Sequence, residues 1–406
     1  INMTLSIKPF KAFRPLQKRV EEVVLPTFDN LTNKQLNKIL KESEYNFLNV
    51  VSPKAFYPNI TKKNSKKHAY EHLESMIKNN IIFQEKEECF YVYCLDKYNK
   101  KQFGIVASIE FEEGNNKILK HEAIFKARSN SIMETIEHTK MQIGPVYLSY
   151  KNQNSRPIDF KKYERKKPLY KFKSPGGTTR SLWKVSEKNE IQSLRKKLSK
   201  IRKFYIADGH HRYSAIENLN KKKNINKIKK EKINLLAAIF DEHSVNILSF
   251  HRLAKFKNFN QQKIIQALKK KFKLEKKLKF KNPCDPGSVM IYLNKTWYNV
   301  SLTSNKKLYT KYETDTDIVE KIMINSIIKK QCNCSLVNLS NIPGKFDHKK
   351  LANEVDKGVA DIGFFICPLP MKKIMSIADK GKIVPKKSTY FDPKPADGLV
   401  NLLMDI

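Results

Sequence analysis

The chain has 406 residues, 40% of them hydrophobic, and carries 79 Lys and Arg against 40 Asp and Glu for a formal charge of +39. That length and apolar content suffice for two or three buried cores and exclude a disordered chain. No stretch approaches the roughly 18 to 20 uninterrupted apolar residues of a membrane helix, and the N-terminus holds no apolar signal core, so no membrane association and a cytoplasmic location are expected.

In chain order, "NKQLNKILKE" (33–42) and "AYEHLESMIKNN" (69–80) have the period of helices, and "CFYVYCLD" (89–96) and "FGIVASIEF" (103–111) read as strands. Two more apolar runs, "KFYIA" (203–207) and "INLLAAIF" (233–240), continue the strand pattern, followed by a helix at "QQKIIQALKKKF" (261–272). The series closes with a strand at "VMIYLN" (289–294), a helix at "TDIVEKIMINSIIKK" (316–330) and a strand at "IGFFICPL" (362–369). The expected class is α+β, with mixed sheets and helices and no fixed-period repeat. Lys-rich polar stretches at 151–173 and 220–232 read as exposed connections, and "KKKFKLEKKLKFKNP" (269–283) as a seam. The expected division is an N-terminal extension and core over 1–255 and a further α+β region over 256–406.

Only 10 of the 79 basic residues are Arg; the rest are Lys, spread over the whole length beside abundant Ile and Asn. This resembles the codon usage of an A-rich gene more than the clustered Arg and aromatic residues of a nucleic-acid reader, so nucleic acid is a possible but unfavoured partner. The six cysteines (Cys89, Cys94, Cys284, Cys332, Cys334, Cys367) form no paired framework, as expected of a reducing compartment. Cys332 and Cys334 lack the second pair that a structural zinc needs. "HAYEH", from His68 to His72, matches the H-x-x-E-H of inverted zinc peptidases but has no third ligand in view and is set aside.

Against 12 Gly, 9 His and 10 Arg in the whole chain, "DGHHR" brings these three residue types together in five positions, directly after a hydrophobic run. The pattern predicts a strand ending at Asp208, a turn at Gly209 and a helix starting near His211. A helix start favours an anion, and phosphate suits it. Gly209 allows close backbone approach, His210 and His211 can donate hydrogen bonds or move a proton, and Arg212 can offer a fork of donors to phosphate. Asp208 can coordinate a magnesium ion or orient a donor. The competing reading makes Asp208 a helix cap and the histidines surface polar residues. No glycine-rich G-x-x-x-x-G-K-S/T loop occurs.

Two further segments carry chemistry. His121 and Glu122 follow a strand-like run and precede a helix bearing Arg128; Glu122 suits a general base if an alcohol reaches it, or is simply a charged residue at a helix start. Lys386, Lys387, Ser388 and Thr389 lie between prolines in "IVPKKSTYFDPKPADGLV" (383–400), either a phosphate clamp or an exposed Lys pair in a Lys-rich chain.

Together these segments resemble, over nearly the whole length, the domain of unknown function 1015 family, often labelled ParB-like. The resemblance runs in order through "IKPFKAFRP", "LPTFDN", "YNFLNV", "HEAIFKARSNSIMETIEHTKMQIGPVY", "IADGHHRYSA", "FHRLAK" and "VPKKSTYFDPKPADGLV". Ile124 and Phe125 depart from the family's usual Thr after His-Glu, and Val384 from the first Pro of its last motif. The D-G-H-H-R turn is also similar to that of archaeal free-serine kinases of the ParB and sulfiredoxin fold, with an upstream H-E whose Glu is the base and a later P-K-x-T.

That resemblance implies a ParB/sulfiredoxin-like core and a phosphotransferase acting on the hydroxyl of a small metabolite, free L-serine the leading candidate. ATP or ADP with magnesium would be the cofactor. It implies Glu122, His121 and Asp208 as catalytic residues, Asp208 also as the metal ligand, and Gly209, His210, His211, Arg212, Lys386, Lys387, Ser388 and Thr389 as nucleotide-binding residues. The alternative is a non-catalytic ParB-like nucleotide-binding protein, for which nucleic acid is a possible partner.

Overall fold

Unbroken apolar runs need burial on both faces, and the central strands of the larger sheet satisfy that need. A computed structural model describes every residue except 1–4, 26–32, 113, 153–157, 226, 228–230 and 283–285. The chain divides into two compact units, Ile1–Val245 with Pro393–Ile406, and Asn246–Asp392.

The first unit is built on a nine-stranded sheet. Its strands are β1 (Ser6–Lys8), β2 (Phe90–Lys97), β3 (Lys100–Phe111), β4 (Ile118–Leu119), β5 (Val146–Tyr150), β6 (Tyr170–Lys173), β7 (Thr179–Val185), β8 (Phe204–Asp208) and β9 (Ile233–Asp241). Their order is β4-β8-β5-β9-β3-β2-β7-β6, with β1 antiparallel to the end of β3. Two pairs are parallel, β8 with β4 and β9 with β5; the others are antiparallel. Phe204 to Ala207 of β8 and all of β5 are buried, so these strands are covered on both faces.

Three helices of this unit pack in series, the last of them carrying the motif: α1 (Lys62–Lys78), α2 (Lys126–Thr139) and α3 (His210–Lys223). Helices α2 and α3 pack on each other, and α1 packs on α2. A smaller four-stranded sheet joins distant parts of the chain in the order Ile82–Gln84, Phe13–Pro15, Asn401–Leu403, Met141–Ile143. The last residues therefore return to this unit as a strand.

The second unit has a six-stranded antiparallel sheet made of β10 (Phe250–Lys257), β11 (Lys273–Lys277), β12 (Ser288–Leu293), β13 (Thr296–Ser301), β14 (Ser335–Pro343) and β15 (Ile362–Ile366). The order is β11-β13-β12-β15-β10-β14. Two helices, α4 (Gln261–Lys269) and α5 (Ile318–Gln331), cover its apolar face.

The mixed class is as the sequence pattern indicates, and a strand lies at each of the six apolar runs. Helix α5 differs from a simple 3.6-residue helix: it is a wide π-helix, and its end is closed by the Cys332 N–H donating to the Ile327 carbonyl at 2.9 Å. Its buried residues come in pairs, Ile318–Val319, Met323–Ile324 and Ile327–Ile328, a spacing of four to five that the wider turn brings onto one face. The domain boundary expected near residue 255 compares with a division after Val245, and residues 393–406 count with the first unit. No helix among the described residues is long and apolar enough to cross a membrane.

The fully buried Ile327 belongs to the core under α5, whereas Lys329 is exposed. Ile327→Ala is expected to cost about 3 kcal/mol, because deleted methylenes leave a cavity. Lys329→Ala should stay within about 0.5 kcal/mol. Urea-unfolding midpoints of the two variants check the difference.

Candidate functional site

Strand β8 delivers the motif. Its pairing with β5 shifts register between Ile206 and Asp208, an irregularity of the kind that re-aims a side chain at a strand end. Asp208 is the last residue of the strand, and Gly209, at φ +93°, stands at the cap position of α3 with no side chain capping the helix. A Cβ there would come within 3.1 Å of the Arg212 Nε and 3.4 Å of the Val146 Cα, so glycine serves both the left-handed backbone and the tight packing. The first-turn N–H groups of α3, from His210 onward, have no acceptor inside the helix.

The His-Glu segment lies against this turn. It follows β4, which runs parallel to β8, so the two chain ends leave the sheet side by side. The His121 backbone N–H donates to His210 Nε2 at 3.4 Å, and the Phe125 N–H donates to His211 Nε2 at 3.1 Å. The rings of His121 and His210 meet edge to face at 4.6 Å, while Phe125 stacks on His211 at 5.7 Å with planes 6° apart. The Glu122 carboxylate then lies 3.5 Å from His210 Nδ1 and 3.9 Å from His121 Nε2. Residues 89 apart in sequence thus form one cluster.

Burial sets the protonation of this cluster. It holds His121 down to about 4, against the opposing pull of the Ile206 carbonyl and Asp208. It holds His210 well below its ordinary value, helped by His121, and lowers His211, helped by Arg128. All three rings are therefore neutral near pH 7. This overturns the reading of His210 as a surface polar residue, since it is 3% exposed.

The same turn carries a compact ion-pair network. Asp208 bonds to Lys394 Nζ at 2.7 Å and to Arg212 at 3.3 Å, and Arg212 bonds to Asp397 at 2.6 Å. Burial pushes the Asp208 carboxyl up, but the two cations outweigh it and bring it to about 2. Burial lifts Asp397, with Arg212 opposing. Asp208 caps no helix; it anchors two cations. Its oxygens are both engaged by positive charges, which does not fit a divalent-cation ligand, and no group of three or more His, Cys, Asp or Glu among the described residues could hold a metal ion.

Lys394 and Asp397 complete this network, and no motif in the sequence assigns either of them a role. Their segment is held by buried Arg180, whose guanidinium donates to the Lys394 carbonyl at 2.9 Å, the Tyr93 hydroxyl at 2.7 Å and the Ser174 hydroxyl at 3.1 Å. The backbone of Asp397 exchanges two 3.0 Å bonds with Leu25. Gly144, at φ +82°, completes the fit, because a Cβ there would collide with the Asp397 carboxylate and approach Arg212 Nη1 to 2.8 Å. The sequence signal was present in "FDPKPADG", but nothing local marks Lys394 as the partner of Asp208.

Lys386, Lys387, Ser388 and Thr389 lie in the second unit. There Arg252 donates to the carbonyls of Lys386 at 3.1 Å and Lys387 at 2.9 Å while pairing with Glu320 at 2.7 Å. Lys387 has φ +55° and its ammonium sits 4.9 Å from the Phe250 ring centre. Ser388 and Thr389 are buried. Of "LPTFDN", residues 26–30 lie outside the described residues. His68 and His72 share a face of α1, stacked at 5.8 Å, beside the ring of Tyr57.

Because the folded-state value of Asp208 lies below its ordinary 3.8, its ionised form stabilises the fold above about pH 4, and that contribution fades between pH 4 and pH 2. Asp208→Asn is expected to lower stability at pH 7 by about 2 kcal/mol, with the gap closing as pH falls through that window. Denaturant unfolding of both proteins at pH 7, 4 and 2.5 checks this.

Solved structures similar to this chain include a conserved hypothetical protein from Pyrococcus furiosus, at 13% identity and a TM-score of 0.33, covering 71% of this chain and 94% of that one. Another is a free serine kinase in complex with AMP, at 14% identity and a TM-score of 0.35, covering 71% and 90%. A third is a C-terminally truncated SbnI from Staphylococcus aureus, at 13% and 0.35, covering 70% and 84%. No curated protein matches the chain. Residues 7–324 match the family described as "Protein of unknown function (DUF1015)", and the chain belongs to that family.

Proposed function

We propose that this chain is a phosphotransferase that moves a phosphoryl group from ATP or ADP to the hydroxyl of a small metabolite, with free L-serine the leading acceptor. One observation carries the reading: the Glu122 carboxylate stands against the uncapped first turn of α3, 3.5 Å from His210. A base and an anion-binding helix start are thereby adjacent, the two things that transfer to an alcohol requires. The proposal rests on the first unit alone.

In the proposed step the acceptor oxygen attacks the terminal phosphorus and its proton passes to Glu122. The bond from that phosphorus to the bridging oxygen breaks, and the shortened nucleotide leaves with the bond's electrons. First-turn N–H groups hold phosphate oxygens, and Gly209 keeps side-chain bulk from their path. Arg212 and Lys394, fixed by Asp397 and Asp208, supply oriented positive charge that needs no rearrangement during transfer.

The test is incubation of the purified protein with ATP or ADP, magnesium chloride and a pooled set of hydroxylated metabolites including L-serine, with phosphorylated product read by mass spectrometry. Glu122→Gln should lower turnover by about 100-fold or more while nucleotide affinity changes less than about 2-fold. Full turnover in the variant removes Glu122 from the mechanism, and absence of product with every donor and acceptor overturns the activity.

A further inference from the structure

The two histidines of the turn look equivalent in sequence, yet only His210 has a carboxylate at its second nitrogen in this cluster. His210 Nε2 accepts the His121 backbone N–H at 3.4 Å. A proton on that nitrogen would set two donors against each other, so the ring must be neutral with its single proton on Nδ1. That nitrogen faces Glu122 Oε2 at 3.5 Å. The ring is wedged against His121, is almost wholly buried, and has Asp208, His211 and Lys120 as its other charged or titratable surroundings. Helix α3 begins at this residue, so its backbone is fixed as well.

We infer that the His210 ring positions the base and does not bind phosphate, which is left to the backbone N–H: as the Nδ1–H tautomer, set by the His121 backbone, the ring donates to Glu122 and fixes the direction of the carboxylate. One oxygen, Oε2, is thereby directed at the ring, and Oε1 lies 3.9 Å from His121 Nε2. Both His210 distances are long for hydrogen bonds, and catalytic contacts of this kind tighten when substrate is bound. The dependence mirrors the familiar arrangement in which a carboxylate fixes the tautomer of a catalytic histidine. Here a backbone amide fixes the tautomer and the histidine orients the carboxylate. His211 repeats the first half of the device, accepting from Phe125 N–H at 3.1 Å, and its ring is stacked on Phe125.

The role in turnover rests on the proposed phosphotransfer, but the tautomer does not, and this separates the two tests. In protein labelled with 15N-histidine at pH 7, the ring nitrogens of His210, identified by their loss in His210→Asn, should show the neutral Nδ1–H form. Glu122→Gln should move the His210 Nδ1 resonance. An Nε2–H tautomer, an imidazolium, or no response to Glu122→Gln overturns the inference whether or not the protein turns over. In kinetics, His210→Ala should lower kcat about 100-fold with nucleotide affinity within about 2-fold, and His210→Asn, whose amide nitrogen falls near the place of Nδ1, should restore all but about 10-fold. Loss of nucleotide affinity by His210→Ala with kcat intact makes His210 a phosphate ligand and contradicts the assignment. An inactive wild type with the expected tautomer refutes the phosphotransfer reading alone.

Discussion

The carboxylate of Asp208 sits where burial disfavours its charge, and Lys394 and Arg212, which reach it from the end of the chain and from the first turn of α3, outweigh that burial and favour the ionised form. The arrangement of the turn depends on that balance. Arg212 is fixed between two carboxylates, Asp208 and Asp397, and Gly144 and Gly209 are the two places where a side chain would break the fit. Removing one member of such a network leaves a partly buried charge short of a partner, which is why it holds together as a set. Arg180, bound to the Lys394 carbonyl and the Tyr93 hydroxyl, secures the segment that brings two of the four charges.

The network has a consequence for how an anion can bind. Two carboxylates offset two cations, and His121, His210 and His211 are neutral, so the side chains of the turn present little net charge. In the proposed site the attraction for phosphate would come mainly from the N–H groups and dipole of α3, with the ion pairs providing fixed, oriented charge. The formal charge of +39 is a property of the whole chain and is not concentrated here.

Much of this was legible in the sequence where a signal was local. The strand "KFYIA", the glycine turn and the helix after it follow from apolar continuity and glycine's freedom, and the helix begins one residue earlier than expected, at His210. The pairing of "KHEA" with "DGHHR" is suggested only by the resemblance, because it depends on the parallel register of β4 and β8. Roles were less legible than positions. Arg212 reads as a phosphate fork, but Asp397, 185 residues away, takes up that fork. Asp208 reads as a metal ligand or a cap until Lys394 is placed beside it. Neither partner has a local pattern, since ion pairs across such separations leave no periodicity. The widened turn of α5 was likewise hidden, because paired apolar residues at spacings of four and five also suit an ordinary helix.

The proposed site puts nucleotide phosphates on the first turn of α3, beside Glu122. Amide hydrogen exchange with and without saturating ADP or ATP tests it most directly and needs no turnover. Slowed exchange at His210, His211 and Arg212 is expected when nucleotide is added. Nucleotide binding that protects other segments and leaves those three amides unchanged would contradict it.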